Sequence, residues 1–490
     1  MTASPPAHRA GRWDGLALAL LATALYVALA QQAFWGVDAH EFLQRLGRGD
    51  HAHRYHFLYL PIAGAFAQAL ATLNWTAFEA ARLASAVGTG VGVLLCHAAA
   101  RGLGLPRRQA LAAAAFSGLA PAVLFFATVV EVHGVFYAFV GAGWLALAHL
   151  QHRPTPVRAA ALGLTTGLAA STHATGHLFF GLAGLMWLAC DRATGLRTPL
   201  PRLARLGLIV GAAHASVVFL LGLWLQAPEV DQPLGGQAWM LFDSFTDGGS
   251  LRRRLEIVWT EWLWAFAPAS ITPLLAVWRR DLRAVSFALL AALTVYLVVA
   301  SAPLIRYGTI ERGAYFVPFA LPFGWLMATL LPRALPMALA LLATAAISIT
   351  AAVQHDHPGQ PNAYAQGLLR AAADRTPSVF IGDVEEARAL LRVDASVAWF
   401  NLAEMAHHLQ AVLPPDPELG YRALCAYFDQ QVADAHRQGR VWVLTESARA
   451  WMADPAFPLY ARFSAEHLET AFDLEHIEGE AFTGFLIRPR

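Results

Sequence analysis

The stretch GVDAHEFLQRLGRGDHAHRYHFLYLP, residues 36–61, decides how the chain is interpreted, because it follows the first long apolar run directly. Its ionisable side chains include Asp38 and Glu41 and the histidines His40, His51, His53 and His56. Charged side chains are costly inside a bilayer and usually face a protein interior or a wet cavity. A polar stretch at the end of an apolar run therefore predicts a cavity at the surface of a membrane.

The composition is that of a polytopic α-helical membrane protein. Of 490 residues, 57% are hydrophobic and 14% are charged, and the mean hydropathy is +0.45. Soluble globular proteins do not have this composition. Apolar runs of about 20 residues, enough to cross a hydrocarbon core of ~30 Å, recur through the first part of the chain. We predict about eleven transmembrane helices, at 14–34, 79–100, 110–129, 132–150, 159–172, 175–190, 206–226, 257–278, 284–302, 314–331 and 335–353.

The positions of arginine predict the topology. Arg-rich connections such as RGLGLPRR (101–108) recur on one side of the predicted helices, which is therefore cytoplasmic by the positive-inside rule. The N-terminus is then cytoplasmic, and an odd number of crossings places the tail outside. We expect a transmembrane domain over 1–355, with an external loop over 35–78, and an extracytoplasmic α/β domain over 356–490. Because the chain has no Lys, as is typical of GC-rich genomes, we expect a bacterial inner membrane.

Two segments leave alternatives open. FLYLPIAGAFAQALAT (57–72) is apolar but short and contains Pro61, so we expect a helix in the outer interface rather than a further crossing. A crossing there would put the connection 101–108 outside. The N-terminus has the basic, apolar and ALA pattern of a signal peptide. The apolar run continues to Trp35, which favours a retained helix over a cleaved one.

Further polar side chains share the predicted outer side. They are Glu131 and His133, His173 and His177, and Arg306 and Arg312. The planar guanidinium forms bidentate, charge-assisted bonds to phosphate, so the two arginines are candidate phosphate ligands. Imidazoles at these spacings can bind a substrate or a metal. We predict substrate binding and assign no metal ligand, and a divalent metal stays an open alternative.

The tail has the pattern of a small α/β domain without a Gly-rich phosphate loop. Asp383 ends a predicted strand, where it is either a helix cap or a ligand of a site at the strand ends. The cap is the simpler interpretation. We predict strands at 377–383, 396–402 and 440–446, helices at 384–392 and 421–438, and a closing hairpin of 472–479 and 482–489.

Several short motifs together resemble a known family. They are GVDAHE (36–41), HFLYLP (56–61), VEVHGVF (130–136) and GLAASTHATGH (167–177). In order and placement they resemble the GT-C superfamily of membrane glycosyltransferases. Within it they are similar to the protein O-mannosyltransferase-like family, whose first loop reads GGDSGE followed by HPPGYPLY. Asp38, Glu41 and Glu131 match acidic positions of that family, whereas the double proline is missing from 56–61.

The resemblance implies an enzyme that takes a sugar from a polyprenyl-phosphate donor in the membrane lipid. The acceptor would be an extracytoplasmic protein, lipid or envelope glycan, and no nucleic acid is involved. Asp38 would be the general base of an inverting transfer, with Glu41 as its partner. The implied substrate-binding residues are His40, His56, Glu131, His133, His173, His177, Arg306 and Arg312.

Two other classes remain as rivals. A transporter or flippase of a lipid-linked or anionic solute would have broken helices and internal repeats, and no clear repeat is visible. A membrane scaffold that only presents the tail would tolerate replacement of the polar residues.

Overall fold

The computed structural model describes residues 12–35, 38–51, 56–193, 198–224, 251–307, 310–356, 361–372, 375–402, 416–479 and 481–490. The chain forms two compact units. The first comprises 1–35, 51–66 and 81–356, and the second comprises 36–50, 67–80 and 357–490.

Among the described residues up to 371, all regular structure is helical. In chain order they are α1 (Arg12–Ala28), α2 (Asp38–Gly47), α3 (Tyr59–Ala71), α4 (Ala77–Gly102), α5 (Arg107–Leu119), α6 (Pro121–Thr128), α7 (His133–His152), α8 (Pro156–Thr172), α9 (Gly176–Ala193), α10 (Leu200–Trp224), α11 (Leu251–Ile257), a π-helical turn (Val258–Trp264), a 3₁₀ turn (Ala269–Ile271), α12 (Thr272–Ala276), α13 (Arg283–Tyr307), a 3₁₀ turn (Ala314–Phe319), α14 (Ala320–Leu330), α15 (Ala334–His355) and α16 (Asn362–Ala371).

The chain is a multipass membrane protein, but the predicted count of about eleven crossings is not confirmed. In the described residues four helices are long and apolar enough to cross a membrane, namely α4, α7, α10 and α15. The pair α5 and α6 adds a fifth if its 59° bend lies within one span. The predicted span 257–278 is instead divided among a π-helical turn, a 3₁₀ turn and α12. Helix α3 has 13 residues, about 20 Å, which is shorter than the ~30 Å of a hydrocarbon core.

Small residues let the helices of the first unit approach closely. A Cβ atom on Gly88 of α4 would lie 2.9 Å from the backbone oxygen of Gly134 in α7. Such contacts are typical of membrane helices, which associate by close packing and interhelical hydrogen bonds. Further along α7, Trp144 is fully buried, and its indole nitrogen donates to the carbonyl oxygen of Pro318 at 3.2 Å.

Polar side chains join the ends of α1, α6 and α15. The Gln31 amide donates to Thr128 Oγ1 at 2.7 Å, and its oxygen lies 2.6 Å from His355 Nδ1. One carboxylate oxygen of Asp356 accepts the backbone N–H groups of Gln32 at 2.7 Å and Ala33 at 3.1 Å. The first segment after α1 is therefore held by the residue that follows α15.

The second unit contains the predicted α/β tail. Its strands are β1 (Pro377–Ile381), β2 (Ala398–Asn401), β3 (Val441–Thr445), β4 (Phe472–Gly479) and β5 (Phe482–Pro489). They form one sheet in the order β2-β1-β3-β5-β4, in which β2, β1 and β3 are parallel, β5 is antiparallel to β3, and β4 is antiparallel to β5. The helical segments around them are α17 (Val384–Val393), α18 (Pro417–Arg437), α19 (Glu446–Met452), α20 (Pro458–Phe463), a π-helical turn (Ser464–Leu468) and α21 (Glu469–Ala471).

The local predictions for the tail are confirmed within a few residues, and the hairpin strands have the predicted bounds. Asp383 is the N-cap of α17, because its carboxylate accepts the backbone N–H of Glu385 at 3.0 Å. This is the cap interpretation rather than the ligand one. A buried carboxylate, that of Glu386, closes the carboxyl ends of β1 and β3 by accepting from Thr445, Ser447 and Tyr364.

Candidate functional site

The residues predicted to form the site fall into both units. Asp38, His40 and Glu41 belong to the second unit, with the tail. The first unit contains His56, Glu131, His133, His173, His177 and Arg312. Arg306 lies in α13, but its side chain is outside the described residues, as is His53.

Helix α2 presents Asp38 at its first residue, where the carboxylate is exposed. A negative charge at this position is favoured by the helix dipole. Glu41 lies one turn later and forms an ion pair with Arg45 at 2.8 Å, and Arg45 also reaches Asp50 at 2.7 Å. Asp38 and Glu41 therefore share the first turn of a helix, as their spacing predicts, and Glu41 stabilises that helix through an i,i+4 pair.

The opposite side of α2 packs against the tail. His40 is buried, its Nε2 accepts from Arg388 of α17 at 3.3 Å, and its ring lies 6.4 Å from that of Trp399 in β2. A Cβ atom on Gly47 would collide with the backbone carbonyl of Ala395. The contacts at His40 and Gly47 fix α2 against the tail, and they thereby fix the position of Asp38 within the second unit.

Three of the predicted histidines of the first unit form one cluster. The rings of His56 and His173 are stacked, with centroids 5.3 Å apart and 11° between their planes. The centre of the His173 ring lies 4.6 Å from that of His133 and 5.8 Å from that of Tyr315. His56 Nδ1 bonds to the carbonyl of Thr172 at 3.1 Å. Burial, and then the neighbouring imidazoles of His133 and His56, hold the pKa of His173 well below its ordinary value, so this ring is neutral at pH 7.

Glu131 borders this cluster with a buried carboxylate. Its Oε1 accepts the backbone N–H of Val132 at 2.7 Å and lies 3.5 Å from His133 Nδ1. The backbone oxygen of Glu131 accepts from Ser85 Oγ at 3.0 Å, which ties the connection before α7 to α4. Together, Glu131 and the imidazoles place hydrogen-bond donors and acceptors beside aromatic rings.

His177 has different neighbours from the cluster. Its Nδ1 bonds to His214 Nε2 at 3.0 Å, and His214 Nδ1 bonds to Thr166 Oγ1 at 3.1 Å. His214 is buried within α10, and the sequence analysis missed it. The available signal was a single imidazole inside the apolar stretch LIVGAAHASVVFLL.

Arg312 lies in an aromatic setting. Its guanidinium carbon is 4.7 Å from the ring centre of Phe125, 5.0 Å from that of Trp35 and 6.0 Å from that of Trp264. The residue is half-buried, and no carboxylate of the described residues forms an ion pair with it. Its backbone is left-handed, with φ at 47°. A cation on aromatic rings keeps its charge available to an anion.

The backbone at Arg312 is held by Glu261, which the sequence analysis also missed. Glu261 is fully buried, and its carboxylate accepts the N–H groups of Glu311, Arg312 and Gly313. In the sequence it is one acidic residue inside VWTEWLW (258–264). Within the described part of the chain, no group of three or more His, Cys, Asp or Glu side chains is placed to hold a metal ion.

Comparisons with solved structures place the fold. ArnT from Cupriavidus metallidurans bound to undecaprenyl phosphate matches with a TM-score of 0.55 and 13% identity, over 96% of this chain and 97% of ArnT. Its apo state gives a TM-score of 0.51 and 14% identity over the same shares. AglB, the archaeal oligosaccharyltransferase from Archaeoglobus fulgidus in complex with an inhibitory peptide and a dolichol-phosphate, gives 0.48 and 12%, over 96% of this chain and 74% of AglB.

The likeness to ArnT shows that the chain shares the fold of ArnT over nearly its whole length. The GT-C superfamily stays a prediction. The O-mannosyltransferase-like subfamily and its loop motifs stay predictions. No protein-family model and no curated protein matches the chain.

Proposed function

We propose that the protein is a membrane glycosyltransferase that takes a sugar from a polyprenyl-phosphate-linked donor. The sugar passes with inversion to an extracytoplasmic acceptor, which is a protein, a lipid or an envelope glycan. The membrane is the bacterial inner membrane, with the N-terminus cytoplasmic. The transmembrane domain covers 1–355, and the tail 356–490 is extracytoplasmic.

The observation that supports this proposal best is the environment of Arg312. A half-buried guanidinium that rests on three aromatic rings, without an ion pair among the described residues, suits a phosphate that arrives with a lipid. Arg binds phosphate with two parallel bonds, and such bonds are stronger where water is excluded. ArnT, which shares the fold, was solved with undecaprenyl phosphate bound.

The proposed reaction is a single displacement at the anomeric carbon. The acceptor oxygen forms the new bond while the bond from the anomeric carbon to the phosphate oxygen breaks. The lipid phosphate leaves with the bonding electron pair, and Asp38 takes the acceptor proton. Arg312, with Arg306, offsets the charge that develops on the departing phosphate, which is the larger electrostatic task.

Most of the remaining predicted residues bind the substrates in this proposal. His56, His133, His173 and Glu131 offer imidazole nitrogens and a carboxylate, which suit the alternating donors and acceptors of sugar hydroxyls. The aromatic neighbours of the cluster, Phe126 and Tyr315, suit the apolar face of a sugar ring. His177 is a further substrate-binding residue, and its ring is oriented by the bond to His214. His40 and Glu41 stabilise the helix that presents Asp38, through Arg388 and Arg45 respectively.

Sugar transfer in membranes tests the proposal. Membranes that contain the full chain are supplied with labelled polyprenyl-phosphate sugars, and labelled product is measured for the wild type, Asp38→Asn and Arg312→Ala. Asn has nearly the same size as Asp, so Asp38→Asn removes the charge and the basicity at the first residue of α2 without a change of side-chain volume. Asp416→Asn at the N-cap of α18 is the matched control.

We expect Asp38→Asn to lower transfer by about 10²- to 10⁴-fold, the usual contribution of a general base. Arg312→Ala is expected to abolish saturation by the donor, and the Asp416 control to retain activity. Transfer that is indifferent to Asp38 would remove the base from the proposal, and an absence of transfer with every donor would contradict the function.

A transporter or flippase is the second candidate, and one observation favours it. Helices α5 and α6 form a bent pair, with 59° between them, as in the broken helices of transporters. Reconstitution in vesicles discriminates the two functions. Movement of a fluorescent polyprenyl-phosphate lipid between leaflets without any sugar transfer would support the transporter.

A further inference from the structure

A fully buried carboxylate lies beside the proposed phosphate site and has no assigned role. It belongs to Glu261, in the π-helical turn Val258–Trp264. Burial of a charged group is costly unless hydrogen-bond donors compensate for the lost water. π-helical turns are rare, and those that occur are often found at functional sites. A buried carboxylate in such an apolar stretch therefore requires a specific set of hydrogen-bond donors.

The donors are three consecutive backbone amides. Oε1 accepts the N–H of Glu311 at 2.7 Å and that of Arg312 at 3.1 Å, and Oε2 accepts the N–H of Gly313 at 2.6 Å. Successive N–H groups in a left-handed turn form a concave anion site. Here that site is occupied by the protein's own carboxylate, so the turn is held from its backbone side.

The turn needs this support because its backbone is strained. Arg312 has φ at 47° and Gly313 has φ at 81°, and L-residues with side chains rarely adopt such values. A residue stays in this region only when its surroundings determine it. The hydrogen bonds to Glu261, which is 51 residues away in the sequence, hold Arg312 in this conformation.

The consequence concerns the direction of the Arg312 side chain. Because Glu261 binds the amides and forms no ion pair with the guanidinium, the guanidinium extends over Phe125 and Trp35, and no described residue accepts a hydrogen bond from it. A carboxylate that paired with the guanidinium directly would compete with a phosphate. Glu261 thus holds the residue without occupying its binding groups.

We infer that Glu261 is a positioning residue for Arg312, which it fixes for the phosphate of a lipid-linked substrate through the amides of residues 311–313. The inference rests on the proposed function, because it takes Arg312 as the phosphate ligand. It adds a residue that acts only through the backbone of its neighbour and touches no substrate.

Binding of undecaprenyl phosphate to the purified full chain in detergent tests it. The Kd is measured for the wild type, Glu261→Gln, Arg312→Ala and the double variant. Gln is nearly isosteric, but it presents an NH₂ group to one of the amides. The matched control is Glu386→Gln, which alters another buried carboxylate, within the tail.

We expect Glu261→Gln to raise the Kd about tenfold or more, as for loss of a charge-assisted hydrogen bond. In the Arg312→Ala background the same change should add little, because the two residues act as one unit. The Glu386 control should leave the Kd unchanged. An equal loss in both backgrounds would point to a general effect on the fold and overturn the inference.

The two proposals can fail separately. If Arg312→Ala weakens binding while Glu261→Gln does not, the positioning role is overturned and the phosphate site stands. If Arg312→Ala leaves the Kd unchanged, the phosphate site itself fails, and the positioning role with it. Should Glu261→Gln not fold, Glu261→Asp replaces it, because it keeps the charge but shortens the side chain, and an unchanged Kd there would overturn the inference.

Discussion

The imidazoles of His56 and His173 are stacked, with 5.3 Å between their ring centres. The two residues are far apart in the sequence, because His56 precedes α3 and His173 follows α8. His173 is buried, and His133 contacts it from another side at 4.6 Å. A stack of this kind tolerates neutral rings and opposes protonation, because a charge on one ring repels the charge on the next. The cluster therefore makes the stability of the first unit sensitive to acid.

The free energy of unfolding is expected to fall as the pH drops below 6.5. Above that pH, His173 is neutral in both states and its lowered pKa contributes nothing. Below it, the unfolded chain takes up a proton that the native protein does not, at up to about 1.4 kcal/mol per pH unit for one proton. Thermal unfolding in detergent at about pH 7.5 and about pH 5.5 measures this.

The control variants separate the cluster from other histidines. His173→Gln should show a smaller loss on acidification than the wild type. His476→Gln, on an exposed strand position, should behave as the wild type does. An equal acid sensitivity in all three proteins would contradict the assignment.

Gly313→Ala is expected to destabilise the protein. A side chain at φ of 81° costs about 1–2 kcal/mol, and the new Cβ would collide with Ala265. Gly207→Ala in α10 is the matched change, because nothing lies within 4 Å of its added Cβ and Ala favours a helix by about 0.5–1 kcal/mol. Thermal unfolding should order the proteins as Gly207→Ala at or above wild type and Gly313→Ala clearly below. A Gly313→Ala protein as stable as the wild type would contradict the strained turn.

Asp356→Ala is expected to destabilise the segment that follows α1. The substitution leaves the backbone N–H groups of Gln32 and Ala33 without their charged acceptor, at a cost of about 1.5–3 kcal/mol. Asp356→Asn keeps an acceptor oxygen and should recover much of the stability. Hydrogen exchange at residues 32 and 33 gives a local readout, and unchanged protection in the Ala variant would refute the role.

The orientation of the tail can be tested with a single cysteine. Cys425 is replaced by Ser, and Arg437→Cys introduces a thiol at an exposed position of α18. If the tail is extracytoplasmic, a membrane-impermeant maleimide should label this cysteine in spheroplasts without lysis. The remaining cysteines, Cys96 and Cys190, are buried and serve as unlabelled references. Labelling only after lysis would place the tail in the cytoplasm.

Local patterns predicted the elements of the tail well. The hairpin of 472–479 and 482–489 and the strand over 377–381 are visible in the sequence because alternation, turn residues and apolar runs act over a few neighbours. The transmembrane helices were predicted less well. A run of apolar residues indicates burial or a membrane, but it does not show where a helix breaks, as at the π-helical turn 258–264.

The sequence by itself determined that the chain is a multipass membrane protein with a sheet domain at its end, since composition and periodicity depend on each segment separately. It also singled out Asp38, Glu131 and Arg312 as unusual charges beside apolar runs. Only the tertiary structure decided that α2 packs with the tail through His40 and Arg388, and that Glu261 holds the backbone at Arg312. Both contacts join segments far apart in the chain, and a side chain that bonds to backbone amides leaves no period or motif by which the sequence could reveal it.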